Sequence, residues 1–215
     1  MVRGAGASNG TLDDTDRRGR STRHRILDTT TRLAISRGNA EPSVAEIAKA
    51  AGVFPNQITY HFGSKQALLI DAAFLGLLRD AGRIELVGRR APTPSAFRRG
   101  IARAVLSMPT LPGVARVLAA EIAKPQHGST IDAHMQLLFK HSERYVRQVA
   151  EARGWATDRA LPSEVRTFWS TALGAVLLFG AGVSGTTADL DLAGTLTIHE
   201  IAGTSDGPAA GGVRG

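Results

Sequence analysis

Val44, Ile47, Ala48 and Ala51 fall at i, i+3, i+4 and i+7, the spacing of a short helix with one apolar face. Ser43 stands before that run and Glu46 three residues on, a pattern in which hydroxyl and carboxylate cap the first turn reciprocally. Gly52 can take the positive φ that ends such a helix, Val53 plugs the turn, and Pro55 suits the first turn of the next helix, where its missing N–H costs nothing. In that next helix Ile58 and Phe62 are four apart and must face inward. Asn56, Gln57, Thr59, Tyr60 and His61 are then left facing outward. A short helix, a tight turn and a second helix with a polar outer face is the layout of a helix-turn-helix reader of the DNA major groove.

The pattern on either side is helical as well. Ile26, Leu27, Leu33 and Ala34 make a buried stripe on a helix expected from about Ser21, as N-cap, to Gly38; Thr30 lies on the stripe, where it can bond back to a carbonyl. From Ser64 a long helix begins that is apolar on nearly every side through Leu78. It must be covered by other helices, and it ends near Arg89-Arg90, before Pro92 and Pro94. Prolines punctuate the rest of the chain, with helical segments expected at roughly 95–108, 113–124, 129–153, 163–184 and 189–201. No strand-period stretch of consequence, nucleotide-binding glycine motif or internal repeat interrupts them. The expected fold class is therefore all-α, with residues 17–66 as the DNA-binding domain and 67–202 as a second helical domain. The Gly-, Ser- and Asp-rich residues 1–16 and the Gly-rich residues 203–215 are expected to be disordered tails.

Charge sharpens this division. The net charge is +7, and the segment from Arg17 to Lys65, with nine Lys/Arg against three Asp/Glu, carries +6 of it. A basic patch confined to about a quarter of the chain, the quarter holding the helix-turn-helix, is the footprint of a polyanion partner. Arg17, Arg18, Arg20, Arg23 and Arg25 lead into the first helix. They read equally as a solvated helix start or as an arm along phosphates or into the minor groove. The absence of cysteine excludes a disulfide framework, thiol catalysis and Cys-ligated metal. The N-terminus has no apolar core of a secretory signal, which points to a cytoplasmic protein.

Here a resemblance becomes specific. The run AEIAKAAGV, the ITYHFGSKQALL beyond it, the Gly52-Val53 turn, the His61-Phe62 pair and Lys65 ahead of an apolar helix closely resemble the DNA-binding domain of the tetracycline-repressor (TetR) family of bacterial regulators. The resemblance covers roughly residues 20–70. It implies a homodimer, a long helix linking the reader to an all-helical C-terminal domain, and a small-molecule effector that releases a palindromic operator. Two positions depart from the family pattern. Thr59 stands where an aromatic phosphate contact is usual, and Phe54 where a small or polar residue is usual.

The candidate DNA-binding residues are Arg23, Ser43, Phe54, Pro55, Asn56, Gln57, Thr59, Tyr60, His61 and Lys65. Asn56 and Gln57 can each pair bidentately with adenine, worth ~1–3 kcal/mol against a wrong base. Tyr60 can pack on a thymine methyl or bond a phosphate. His61, Lys65 and Ser43, or the backbone N–H groups beside it, suit phosphate contacts that set register. His61 reads alternatively as a buried link between helices. His127, His134 and His141 recur every seven residues, too far apart on a helix, at ~10.5 Å, to share one metal unaided. They are taken as exposed or hydrogen-bonded side chains.

The uncharged run from Thr167 to Ala188 has nearly the length of a membrane span, but its Ser, Thr and Gly content favours a buried helix at a homodimer seam. Phe168, Trp169, Ala172, Leu173 and Val176 are the residues expected there. The function expected is sequence-specific transcriptional regulation, more often repression, with double-stranded DNA, a second copy and a small-molecule effector as partners, and no membrane. A ligand-independent activator or architectural protein is the alternative. A helical carrier or enzyme ranks last, because no nucleophile–base pair, paired-carboxylate motif or metal cluster supports catalysis. No cofactor, catalytic residue or metal is expected.

Overall fold

The computed structural model describes residues 9–37, 41–123, 129–183 and 191–201. Helices α1 (Asn9–Ser36), α2 (Val44–Ala51) and α3 (Pro55–Phe62) form the N-terminal unit. They are followed by α4 (Lys65–Arg90), α5 (Pro94–Leu106), α6 (Leu111–Ile122), α7 (Ser129–Arg153) and α8 (Leu161–Gly180). Strands β1 (Trp155–Thr157) and β2 (Ile198–Glu200) pair antiparallel, with Trp155 opposite Glu200. The fold is all-α apart from this two-stranded ribbon.

Two apolar cores divide the chain. Ile26, Ile47, Ala48, Ala51, Ile58 and Leu68 close a small core under the helix-turn-helix. A larger one is built from α4 to α8 around Leu77, Phe97, Leu111, Leu138 and Ala172. Complete burial of an Ile or Leu contributes roughly 1.5–3 kcal/mol, so the small core gives the reader a rigid frame despite its short helices. Thr30 is fully buried on α1 and donates to the Ile26 carbonyl at 2.8 Å, which satisfies its hydroxyl on the apolar stripe.

Helix α4 belongs to both cores. Ser64 caps it by accepting from the Ala67 N–H at 3.1 Å. Along its length it is pinned to α1: Arg23 pairs with Asp71 at 2.8 Å, Arg79 with Asp28 at 2.6 Å, and the Thr31 hydroxyl donates to the Ala72 carbonyl at 3.1 Å. The Arg79 hydrogen bond holds the Asp28 carboxyl below its ordinary pKa. On the other side the buried Asp80 accepts from Thr110 at 2.6 Å, at the N-terminus of α6. Farther on, Gly88 lies so close to α5 and α7 that a Cβ there would meet Phe97 Cε2 at 2.7 Å and overlap the Tyr145 hydroxyl.

Three expectations need correcting. Helix α1 starts at Asn9 instead of Ser21, taking in residues expected to be disordered. Gly38, expected to end α1, and the outer parts of both tails lie outside the described residues. The second correction concerns 189–201, which is not a helix. Its described part holds a 3₁₀ turn at Ala193–Thr195 and then β2. The cause is Glu164, fully buried on α8, which accepts from the Thr197 N–H at 2.8 Å, from the Thr197 hydroxyl and from Arg159 Nε at 3.0 Å. A buried carboxylate needs such partners, and gaining them holds the backbone extended at Thr197.

The third correction concerns α8. Phe168, Trp169, Ala172 and Leu173 are each 6% exposed or less within a single protomer, and Val176 packs against the same core. Trp169 donates its indole N–H to Ser142 of α7 at 2.9 Å. A run without charge signals burial, but it does not say whether the covering surface comes from the same chain. Here it does. Among the described residues no single helix is long and apolar enough to cross a membrane.

Candidate nucleic-acid interface

The sequence builds the reader from local signals. Ser43 and Glu46 form the reciprocal cap: the Ser43 N–H and hydroxyl both donate to Glu46 Oε2, at 2.8 and 2.7 Å, and the Ser43 oxygen accepts from the Glu46 N–H at 3.3 Å. Arg37, at the end of α1, adds an ion pair to Glu46 at 2.7 Å. That arginine, followed by the Ser43 hydrogen bonds, lowers the Glu46 carboxyl from its ordinary 4.5 to about 2. Gly52 takes the left-handed conformation, with φ at 62°, and its N–H returns to Lys49. Gly63, with φ at 75°, ends α3 and turns the chain into α4.

Ile58 is buried beneath α3. Phe54, Pro55, Asn56, Thr59 and Tyr60 are exposed; Phe54 is 76% and Tyr60 84% open to solvent. Two large apolar-bodied side chains left in water at the start and middle of one helix are costly unless something covers them. Gln57 is half-buried, and its side-chain oxygen accepts from the Phe54 N–H at 3.1 Å. It therefore satisfies the N–H of the residue that opens α3, the half of a reciprocal cap that the third helical residue supplies, and keeps its amide N–H₂ for an outside acceptor. His61 is also half-buried and meets the Tyr60 ring edge-on, with centroids 5.0 Å apart.

The cations expected to meet phosphate are held differently from one another. Lys65 opens α4 beside α3, with its ammonium 3.2 Å from Glu41. Arg23 lies over the Phe62 ring at 4.7 Å while paired with Asp71. That geometry gives Arg23 a structural role, clasping α1, α3 and α4, which sequence spacing could not reveal. The Ser43 hydroxyl is committed to Glu46, leaving the backbone N–H groups that open α2 as its anion-facing part.

In the second domain a small, open apolar pocket lies among α4, α5, α7 and α8. His141 sits at this pocket, with Nε2 3.1 Å from Glu85 of α4, whereas His134 pairs with Asp71 at 3.3 Å and packs against Phe74. His127 lies outside the described residues. A second small, open pocket lies among α1, α4 and α6 and includes Glu41 and Arg116 in its wall.

Comparison with known proteins respects this division. Residues 26–72 match the model for bacterial regulatory proteins of the tetR family, and residues 94–197 match a bacterial transcriptional repressor C-terminal model of the TetR type. Together these matches span most of the chain. No curated protein matches it. Among solved structures, a candidate transcriptional regulator from Rhodococcus sp. RHA1 is similar, with 24% identity over 80% of this chain and 91% of that one and a TM-score of 0.65. A candidate TetR-family regulator from Rhodococcus sp. has 16% identity over 80% and 95%, with a TM-score of 0.60. RolR in complex with resorcinol has 18% identity over 83% and 86%, with a TM-score of 0.60. At these identities the structures speak for the shared fold.

Proposed function

The chain belongs to the TetR family of bacterial transcriptional regulators, and from that premise we propose that it is a homodimeric repressor whose α3 reads a palindromic operator. The observation that carries the reading is the outer face of α3. It presents Asn56, Thr59 and Tyr60 with the Gln57 amide beside them, in the part of the chain that holds most of the positive charge.

Asn56 and the free N–H₂ of Gln57 are the base-reading groups. Phe54, Pro55 and Tyr60 lie against thymine methyls or sugar, which removes them from water on binding. Thr59, the N–H groups opening α2 and Lys65 take phosphates; Lys65 exchanges Glu41 for a phosphate oxygen. His61, half-buried, supports Tyr60. Arg23 holds the frame, and the arginines before it run along the backbone. Residues 17–66 act as the reader and 67–202 as the dimerisation and effector domain, in a protein that works in the cytoplasm.

The dimer face is assigned to side chains that the protomer leaves uncovered: Leu178, Phe179 and Val183 at the end of α8, with Ile122 at the end of α6, a helix packed on α8. A second copy there places two readers on half-sites ~34–36 Å apart. An effector in the C-terminal domain releases the operator through its better affinity for the DNA-incompetent arrangement. The ligand held by RolR, resorcinol, supports a small-molecule effector by analogy of fold.

Light scattering on the purified chain, with and without Phe179→Asp, tests the dimer. The unaltered chain should have twice the protomer mass and the variant should shift towards a monomer. A monomeric unaltered chain rejects the reading.

A further inference from the structure

We infer that the base pairs under α3 in each half-site are A·T pairs, with an adenine paired to Asn56 and a thymine methyl group covered by Phe54. The inference rests on the proposed reading by α3 and deepens it by naming the DNA that this face fits.

In the major groove guanine presents two acceptors that suit Arg or Lys, and cytosine presents an amino donor that suits Asp or Glu. Helix α3, from Pro55 to Phe62, carries none of these four residue types. Arg23 and Lys65 stand at its other end, where Arg23 lies over Phe62 and pairs with Asp71, and Lys65 lies 3.2 Å from Glu41. His61, the one basic group within the helix, is half-buried with its ring against Tyr60. A G·C pair under this face therefore meets neither of its usual partners.

An A·T pair meets both of its own. Ile58 and Phe62 pack on the small core, and Asn56 and Tyr60, four apart, share the exposed side of the helix. Asn56 lies in the first turn, the part of a recognition helix that reaches base edges. Its amide offers the acceptor and donor that match adenine N6–H₂ and N7. Gln57 does not duplicate this role: its oxygen accepts from the Phe54 N–H at 3.1 Å, and the remaining donor suits the N7 of either purine. Phe54 precedes the helix in an extended conformation, with φ at −79° and ψ at 147°, and is 76% exposed. A hydrocarbon ring has no hydrogen bond to give, so it recognises an apolar group, and the apolar group on base edges in this groove is the C5-methyl of thymine.

The test begins with the sequence that the purified full chain selects from random duplex DNA. The positions at which selection relaxes in Asn56→Ala and in Phe54→Ala mark the two contacts, and both should be A·T pairs. Fluorescence anisotropy then compares the selected duplex with two altered copies. One has 2′-deoxyuridine for thymidine at the Phe54 position, which removes only the methyl. The other has 7-deaza-adenine for adenine at the Asn56 position, which removes only the N7 acceptor. Neither change alters the minor-groove edge, so a response reports major-groove contact and not the shape of A·T-rich DNA. Uracil should weaken binding about fourfold for each methyl covered, and 7-deaza-adenine about fivefold or more. Phe54→Ala should bind the thymine and uracil duplexes alike, and Asn56→Ala the adenine and 7-deaza-adenine duplexes alike. Both side chains are exposed, so the melting temperatures of the variants should stay close to that of the unaltered chain. G·C pairs at the marked positions, or indifference of the unaltered chain to either replacement, overturns the inference and leaves the reading by α3 standing. Equal retention of all sequences rejects both.

Discussion

Asp71 of α4 clasps Arg23 of α1 at 2.8 Å, and its other carboxylate oxygen lies 3.3 Å from His134 of α7. One side chain thus joins the first helix of the reader to the second domain, with Arg23 stacked on Phe62 at the end of α3. The pair is partly solvated, with Arg23 47% and Asp71 19% exposed, so its own contribution is modest. A double-mutant cycle of Arg23→Ala and Asp71→Ala, read by denaturant melts, should give a coupling of about 0.5–1 kcal/mol. Additive losses would mean that the clasp does not act as a pair.

Gln57 has two tasks that separate by substitution. Gln57→Glu keeps an oxygen for the Phe54 N–H, removes the amide donor and adds a negative charge. The melting temperature should stay close to that of the unaltered chain while specific DNA binding falls by more than tenfold, the scale of one base contact. Unchanged DNA binding would remove Gln57 from the reading face.

Glu46 makes the reader acid-sensitive. Its carboxyl titrates at about 2 in the folded chain against an ordinary 4.5, because Arg37 and Ser43 hold the charged form. A carboxyl depressed on folding gives stabilisation that is complete above its ordinary value and is lost as pH falls through the folded one. Thermal melts should therefore lose stability between about pH 4.5 and 2, and Glu46→Gln should flatten that slope. An identical slope in the variant would assign the acid loss elsewhere.

Gly88 is a packing constraint on α4. A methyl there meets Phe97 and Tyr145, and crowding of this kind costs about 1–3 kcal/mol. Gly88→Ala should lower stability by that amount, and adding Tyr145→Phe should recover part of it. No loss on Gly88→Ala would show that α4 and α7 separate easily.

The helix-turn-helix was legible in the sequence because its signals are local. Ser43 with Glu46, Gly52, Pro55 and Ser64 each fix a helix end within a few residues, and the structure has α2, α3 and α4 at those ends. What escaped depends on contacts between distant residues. The Arg23–Asp71 clasp spans α1 and α4, and the hold of Glu164 on Thr197 turns an expected helix into β2. The apolar residues of α8 announced burial, yet only the packing of α5 to α7 shows that Phe168 and Trp169 face their own core. Gln57 was legible as polar and outward, but not as the cap of Phe54.

Selection of binding sites from random duplex DNA by the purified full chain tests the central claim most directly. The account predicts enrichment of one sequence with two inverted half-sites about one helical turn or a small multiple apart, and loss of that enrichment in Asn56→Ala. Equal retention of all sequences, or enrichment that survives Asn56→Ala unchanged, would contradict it.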